Sequence, residues 1–204
     1  MHDYSIDRHP KEKVIFFLSV TAVTITPLVN AVIKSICDKL GLIGELAATT
    51  IPVSLFFAFI YWLFDEKLWK VALCRRFMLV PDLNGDWSCD GKQFLKQGKQ
   101  VELFWKAEIK VIQSWSKIIV NLKTAQSQSR SVTASIRREP GSGYRLVFVY
   151  ENSPNADERA LHRHTGTCEL IFDQKCLGAD GFYFTDHDRN TVGTMKLVKK
   201  EVGK

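Results

Sequence analysis

The side chains of this chain that could bind a ligand are aromatic, hydrogen-bonding and basic residues in its C-terminal part. Rings such as those of Trp115 and Tyr150 can stack on nucleobases, and arginines can pair with phosphate. The full set of candidates is Gln113, Trp115, Thr124, Tyr150, Asn152, Arg159, His162, Arg163, His164 and Arg189. Together these residue types suit a ligand that combines bases with phosphate.

Catalytic chemistry has little support in the sequence. His162 and His164 would share one face of a strand and could ligate zinc, but no convincing third ligand follows them. The P-loop, GxSxG and HExxH motifs are absent. We therefore expect a binding protein that is not an enzyme, with no bound metal and no cofactor. An enzyme that uses the histidine pair stays an alternative, and it would need a bound metal or a histidine that titrates near neutral pH.

The charge balance argues against one class of partner. The chain has 28 Lys and Arg against 22 Asp and Glu, a net charge of +6. This mildly basic balance permits an anionic ligand, but no run of Lys or Arg is dense enough for a DNA-binding face. We therefore expect no DNA or RNA partner.

The elements that must position the candidates are predicted from a change of period after residue 83, where apolar and polar residues begin to alternate. Turn residues separate the alternating segments and no helical pattern lies between them, which leaves a sandwich or a closed barrel. Short hairpin connections favour an all-β domain at 81–204, an eight-stranded antiparallel up-and-down barrel that can hold one small ligand. The predicted strands lie at 85–91, 101–114, 118–122, 131–138, 144–150, 166–172, 181–186 and 192–199.

Alternation along these strands also predicts where the candidates lie. Inward-facing rows turn from apolar to polar or aromatic at Gln113 and Trp115, at Thr124, at Tyr150 and Asn152, and at His162 and His164. We expect these groups to gather at one rim of the barrel, since an apolar cavity with hydrogen-bonding groups at its mouth is a common ligand site. Rim positions are also polar simply because they meet water, and that alternative stays open.

Two uncharged apolar runs precede the predicted barrel, at 14–33 and 46–64. Each is long enough for a helix of about 30 Å, which would cross the hydrocarbon core of a bilayer. Seven basic residues flank the pair of runs and two lie between them, which places both ends in the cytoplasm. A signal peptide and a buried helical hairpin of a soluble protein are the alternatives.

The predicted organisation therefore has six parts. They are a cytoplasmic N-terminal segment at 1–13, membrane helices at 14–33 and 46–64, a short periplasmic loop at 34–45, a juxtamembrane connector at 65–80 and a cytoplasmic β-domain at 81–204. Polar residues inside the spans can hydrogen-bond across helices or to their own helix backbone, and both possibilities stay open. These residues are Thr21, Thr24, Thr26, Asn30, Thr49, Thr50 and Ser54.

Several short motifs, taken in order behind two apolar runs, resemble a known bacterial family. They are PDLNGDW at 81–87, the segment 112–124 containing QSWSK, the serines of SxSxS at 127–131, VYENSP at 149–154, HTGTCEL at 164–170, GFYF at 181–184 and the later Gly193. The family comprises effectors of cyclic-oligonucleotide-based anti-phage signalling (CBASS) with two transmembrane helices and a β-barrel. Its members are CD-NTase-associated proteins, also described as SMODS-associated two-transmembrane β-strand proteins.

The resemblance implies a function that composition does not show. A partner CD-NTase nucleotidyltransferase would make a cyclic dinucleotide, and the barrel would bind it. The protein would then form a homo-oligomer and disrupt the lipid bilayer of the bacterial inner membrane, as a multi-pass protein with both termini in the cytoplasm. The alternative is a membrane-tethered, lipocalin-like barrel that binds an apolar ligand, because Gly85 and Trp87 form a GxW similar to that of lipocalins.

Overall fold

The computed structural model describes residues 1–7, 10–40, 51–78, 80–94, 102–158, 162–186 and 191–201. Two compact units are present, one formed by residues 10–74 and the other by residues 1–9 together with 75–204. The described helices are α1 (Lys11–Lys39), α2 (Val53–Glu66), a short 3₁₀ helix (Leu68–Lys70) and α3 (Ala72–Met78). The described strands are β1 (His2–Ile6), β2 (Gly85–Phe94), β3 (Glu102–Gln113), β4 (Lys117–Lys123), β5 (Ser127–Glu139), β6 (Gly143–Pro154), β7 (His164–Phe172), β8 (Gly178–Thr185) and β9 (Val192–Lys199).

The first helix is longer than the apolar run that predicts it. α1 has 29 residues, or about 43 Å at 1.5 Å per residue, and among the described residues it is the helix long and apolar enough to cross a membrane. α2 has 14 residues, and the first part of the predicted second span, residues 46–50, lies outside the described residues. A second membrane crossing therefore stays a prediction.

Hydrogen bonds inside the helical unit separate the two roles considered for its polar residues. Thr21, Thr24 and Thr26 each donate to the carbonyl four residues earlier in α1, at 2.6–2.8 Å. Asn30 instead joins two elements: its Nδ2 donates to the Ile51 carbonyl at 3.1 Å, and its Oδ1 accepts from the Ile51 N–H at 3.0 Å. The threonines thus satisfy their own helix, whereas Asn30 holds the chain just before α2. Thr49 and Thr50 lie outside the described residues.

All eight strands predicted from alternation are present, in meander order. Each of β2 to β8 pairs antiparallel with the next strand, and β9 pairs with β2. The sheet closes on itself as a barrel. The predicted number of strands is corrected, because the described part of the chain forms a sheet of nine strands and not eight.

The additional strand, β1, comes from the N-terminal segment that the sequence places before the first span. It lies between β4 and β5, antiparallel to β4 at His2 and Asp3 and parallel to β5 from Tyr4 to Ile6. The Tyr4 side chain is buried, and its hydroxyl donates to two backbone carbonyls, each at 3.2 Å. The burial of β1 does alternate, but the strand has only five residues and one fully buried side chain. So short a segment does not stand out in the sequence, which explains why it is not predicted.

One end of the barrel is closed by apolar packing. Trp87 and Phe172 are both fully buried, with ring centroids 5.2 Å apart at an interplanar angle of 72°. Leu83 is equally buried, and its carbonyl accepts a hydrogen bond of 3.3 Å from Trp87 Nε1. Burying each such side chain contributes about 1.5–3 kcal/mol. The barrel interior is therefore filled with apolar side chains at this end, and space for a ligand inside the barrel can exist only towards the other end.

Candidate functional site

The end of the barrel opposite Trp87 and Phe172 contains a cavity of about 410 Å³. The strand register brings together here the last residues of β2, β4, β6 and β8 and the first residues of β3, β5, β7 and β9. The deeper wall is apolar and includes Val120, Leu122, Phe148 and Met195, whereas hydroxyl and amide side chains lie nearer the strand ends. The volume lies in the range of small-molecule sites, about 300–1,000 Å³.

Three aromatic side chains of the cavity each lie over a glycine on the neighbouring strand. In every pair the two residues are direct partners in the strand register, and a Cβ added to the glycine would lie closer than 3.0 Å to the ring. The absence of a side chain therefore lets each ring lie against the barrel wall and keeps the interior open. The pairs are Trp105 with Gly91, Tyr150 with Gly166 and Tyr183 with Gly193.

Two of these rings are fixed to each other. Trp105 Nε1 donates to the Tyr183 hydroxyl at 3.2 Å, and their ring centroids are 5.8 Å apart at an interplanar angle of 72°. The third ring, Tyr150, has its centroid 6.3 Å from that of Phe148. The cavity thus has two aromatic walls, and stacking on such rings contributes about 1–3 kcal/mol per nucleobase.

A hydrogen-bonded amide lies at the junction of β5 and β6. Asn152 is 6% exposed, and its Nδ2 donates to Ser127 Oγ at 3.1 Å and to Ser129 Oγ at 2.8 Å. Ser127 is held in turn by Thr124, whose Oγ1 accepts from the Ser127 N–H at 2.9 Å. Both amide protons of Asn152 are therefore used within the protein, and the side chain has a fixed orientation.

On the other side of the mouth, the end of β8 meets the start of β9. Thr191 N–H donates to Thr185 Oγ1 at 2.8 Å, and the two hydroxyls are 2.9 Å apart. Both threonines line the cavity, as does His164. His164 Nδ1 donates to the His162 carbonyl at 3.2 Å. The rim described here is therefore built from groups that can both donate and accept.

The described wall of the cavity carries no fixed charge. Among the described residues that line it, there is no Lys, Arg, Asp or Glu. Cys168 lies in this wall, and burial, with smaller contributions from Cys89 and Glu169, raises its pKa well above the ordinary thiol value of 9.0. Burial likewise raises the pKa of Cys89 to about 12. Both thiols are therefore neutral at physiological pH.

Four of the ten candidate residues line the cavity: Thr124, Tyr150, Asn152 and His164. His162 and Arg163 are exposed and directly precede β7. Arg159 and Arg189, the other two arginines considered for phosphate, lie outside the described residues.

The expectation that Gln113 and Trp115 share the rim is wrong. Gln113 Oε1 accepts from the Leu83 N–H at 2.9 Å, and Gln113 Nε2 donates to the Tyr4 hydroxyl at 3.0 Å, so this side chain belongs to the closed end. Trp115 is 1% exposed in the β3–β4 connection, at the same end. Consecutive strands of a meander run in opposite directions, so the end of β3 and the end of β4, with Thr124, lie at opposite ends of the barrel.

Sequence reasoning missed four important residues of the cavity. In the sequence, Trp105 and Tyr183 look like any other apolar residues of a strand. Their position against the cavity wall depends on a glycine of the neighbouring strand, and only the strand register shows which glycine that is. Ser127 and Ser129 appear in the sequence only as part of a motif, and their function as partners of Asn152 requires the β5–β6 pairing. The alternation of serines with longer polar residues at 127–131 is the signal that could have indicated an inward row.

Comparison with known proteins matches both parts of the chain. Residues 78–199, which include the cavity, match a family model described as "Cap15, cyclic dinucleotide receptor domain". Residues 12–70 match a model described as "Cap15, TM helices". The chain belongs to the Cap15 family. The resemblance to CBASS effectors predicted from the sequence is thereby confirmed.

Two relatives, both named CD-NTase-associated protein 15, illustrate the spread of the Cap15 family. The protein from Yersinia aleksiciae is 39% identical over 142 residues, which cover 70% of this chain and 66% of that relative. The protein from Staphylococcus schleiferi is 27% identical over 156 residues, which cover 76% of this chain and 79% of that relative. The chain thus matches just under two thirds of the Yersinia protein's length.

Proposed function

We propose that this Cap15 family member is a CBASS effector that binds a cyclic dinucleotide in the barrel cavity. One observation carries the proposal: the cavity, with its three glycine-backed aromatic rings, lies inside the segment that matches the receptor-domain model. Flat rings on two walls suit a ligand with two bases. The protein acts as a receptor and not as an enzyme, so the ligand leaves the site chemically unchanged.

The output of the receptor, in this proposal, is self-association and disruption of the inner membrane. Support comes from the apolar helix α1 and from the match of residues 12–70 to a membrane-helix model. The second span and the cytoplasmic location of both termini rest on the sequence pattern. A ligand drives assembly only if it binds the assembled state more tightly than the monomer. A partner nucleotidyltransferase supplies the ligand when a phage infects the cell.

A thermal-shift titration of the full chain in detergent tests the binding step. The panel contains cyclic di- and trinucleotides, the linear form of each dinucleotide, and a long-chain fatty acid as an apolar probe. A ligand at about 100 times its Kd stabilises the folded state by roughly 2.7 kcal/mol, which gives a clear shift of Tm. We expect a shift with one cyclic dinucleotide and none with its linear form, followed by ligand-dependent leakage of vesicles that contain the protein.

A variant in which Trp105 and Tyr150 are both changed to Ala removes one ring from each aromatic wall and should abolish the shift. The matched control replaces exposed Phe182, which lies on β8 next to cavity-lining Tyr183 but is absent from the cavity wall, with Ala. A shift with the fatty acid and with no cyclic nucleotide would overturn the proposal in favour of a lipocalin-like barrel.

A further inference from the structure

The first strand occupies a gap that the other strands of the barrel leave open. The direct pairing of β4 with β5 lies near the cavity, where residues 121–123 are opposite 128–130, and the two strands separate towards the closed end. β1 fills the gap between them, antiparallel to β4 and parallel to β5. We call this gap the slot. Without β1 the slot has an unpaired strand edge on each side, and such edges are templates for pairing with another strand.

The contacts in the slot match the sequence of β1. Tyr4 is 3% exposed, and its hydroxyl donates to two carbonyls of the β3–β4 connection, each at 3.2 Å. His2 Nε2 lies 2.8 Å from Ser131 Oγ, within hydrogen-bond distance. The Asp7 N–H donates to the Ile136 carbonyl at 3.1 Å, directly after the strand ends. The slot therefore fits one particular strand, and every copy of this chain carries that strand.

β1 is weakly anchored for a strand of a closed barrel. It has five residues and one fully buried side chain. Its longer pairing is the parallel one with β5, and parallel pairing is slightly less stable per residue than antiparallel pairing. In the sequence, four residues separate Ile6 from Lys11, where α1 begins. A β1 that leaves the slot therefore stays covalently attached to α1, a helix long and apolar enough to cross a membrane.

Ser131 connects the slot to the cavity. It is the direct register partner of Tyr150, which lines the cavity. Its Oγ accepts a hydrogen bond of 2.9 Å from the N–H of Val120, another cavity-lining residue, and the same Oγ contacts His2 of β1. The register of β5 shifts between Ser131 and Thr133, directly beside this junction. A ligand that contacts Tyr150 and Val120 therefore acts on the residue that joins β5 to β1, and so changes how firmly β1 is held.

We propose that the slot is the site through which copies of this protein associate, and that ligand binding lets β1 of a second copy replace the chain's own β1. This inference rests on the proposed function and deepens it, since it names the surface used for self-association. The same contacts form within one chain and between two, which makes exchange of an identical element a low-cost route to an oligomer. The donated strand and the slot are different surfaces, so exchange can continue from copy to copy and link their membrane helices.

Crosslinking between two differently labelled chains tests the exchange. Ser5 and Ser135 are register partners on β1 and β5, and both are exposed. Full-length chains that carry either Ser5→Cys or Ser135→Cys, with the half-buried Cys37 and Cys74 changed to Ala, are mixed in detergent and treated with a short bis-maleimide. A crosslink between the two kinds of chain requires β1 of one copy to lie beside β5 of another.

The ligand is taken from a panel of cyclic di-AMP, cyclic di-GMP, cyclic di-UMP and their mixed forms, and is chosen by its thermal shift on the wild type. We expect it to raise the yield of the mixed crosslinked species at least about fivefold, the lower end of common allosteric couplings. The matched control replaces Ser135→Cys with Gln128→Cys, at an exposed position of the same strand that lies opposite β4 and not β1. The yield of this control should not respond to ligand.

A second variant holds β1 in its own slot. A chain with both Ser5→Cys and Ser135→Cys is crosslinked at low protein concentration before ligand is added, and a matched sample has both thiols capped with N-ethylmaleimide. The locked chain should keep the thermal shift with ligand, because the cavity rings are unchanged. It should lose ligand-dependent self-association and the leakage of phosphatidylethanolamine–phosphatidylglycerol vesicles, whereas the capped chain should keep all three. Thermal melts establish that each variant is folded.

The outcomes distinguish the two proposals. If the wild type binds no cyclic dinucleotide, or binds one without self-associating, the proposed function fails and this inference fails with it. If the wild type binds and self-associates but the locked chain assembles as well as the capped chain, the receptor function stands and strand exchange is wrong. A yield of mixed crosslinks no higher than that of the Gln128→Cys control would equally overturn the inference.

Discussion

The contact between Gly91 and Trp105 gives the sharpest test of how the cavity is kept open. In Gly91→Ala, the new Cβ would lie 2.0 Å from Trp105 Cε2, so the ring must move by about 1.4 Å to reach an ordinary contact of 3.4 Å. The movement breaks the hydrogen bond to Tyr183, worth about 0.5–1.5 kcal/mol, and the edge-to-face contact, worth a similar amount. Alanine in a strand returns about 0.5–1 kcal/mol. The expected net loss of stability therefore lies between about 0 and 2.5 kcal/mol, with a central value of about 1.3 kcal/mol.

Two measurements on the full chain in detergent follow from this estimate. Thermal unfolding should show a fall of Tm by roughly 3–5 °C for the central value of this estimate. Titration with the cyclic dinucleotide that stabilises the wild type should show a Kd at least about tenfold higher, a loss of 1.4 kcal/mol, because the displaced ring narrows the cavity.

A double-mutant cycle with Trp105→Ala identifies the cause. Once the ring is absent, Gly91→Ala has nothing to displace and should be neutral or slightly stabilising. The reasoning is refuted if Gly91→Ala destabilises the protein equally in the two backgrounds, or if it leaves ligand affinity unchanged while Tm falls.

Two further predictions concern the barrel itself. Tyr4→Ala should lower the free energy of unfolding by about 3–5 kcal/mol, because it leaves a cavity at a buried position of β1, the strand that lies between β4 and β5. Urea unfolding measures this loss. A loss below about 1 kcal/mol would show that β1 contributes little to closing the barrel. Burial acts to raise the pKa of Asp173, but hydrogen bonds from backbone N–H groups, including those of Lys175 and Gly178 at 2.7 and 2.6 Å, outweigh it and lower the pKa. The stabilisation from Asp173 is therefore present above its ordinary value of 3.8 and lost as pH falls below it. Thermal melts of Asp173→Asn should show a weaker fall of Tm than the wild type in this acid range, and parallel profiles would contradict the role of the carboxylate.

Alternation predicted the strands well, because a barrel has one apolar and one wet face and each strand repeats that division. β3 is the clearest case: Ala107, Ile109 and Val111 are buried between exposed residues. The same rule predicted β5 and β6 to be shorter than they are: β5 begins at Ser127 and β6 ends at Pro154. Near those two strand ends the inward-facing residues are polar because they line the cavity. The alternation of apolar and polar residues therefore covers only part of each strand.

The helical unit shows a different limit. Absence of charge predicted α1, since a long apolar run is a property of the sequence itself. The partner of Asn30 could not be predicted, because Ile51 is twenty-one residues away and meets it only once the chain has turned back.

The sequence by itself determined the division into an apolar helical part and a meander of eight strands, and it identified the family through short motifs. Those features are local, because each depends only on residues that are close together in the sequence. The tertiary structure alone decided which strand ends meet, and so moved Gln113 and Trp115 to the closed end while placing Thr124 with Asn152 at the cavity. It also decided that a ninth strand closes the barrel and that a glycine lies opposite Trp105, Tyr150 and Tyr183. The reason is that strand pairing joins residues that are far apart in the chain. Alternation can be recognised in the sequence as a period of two residues, but the register between two strands produces no such periodic pattern.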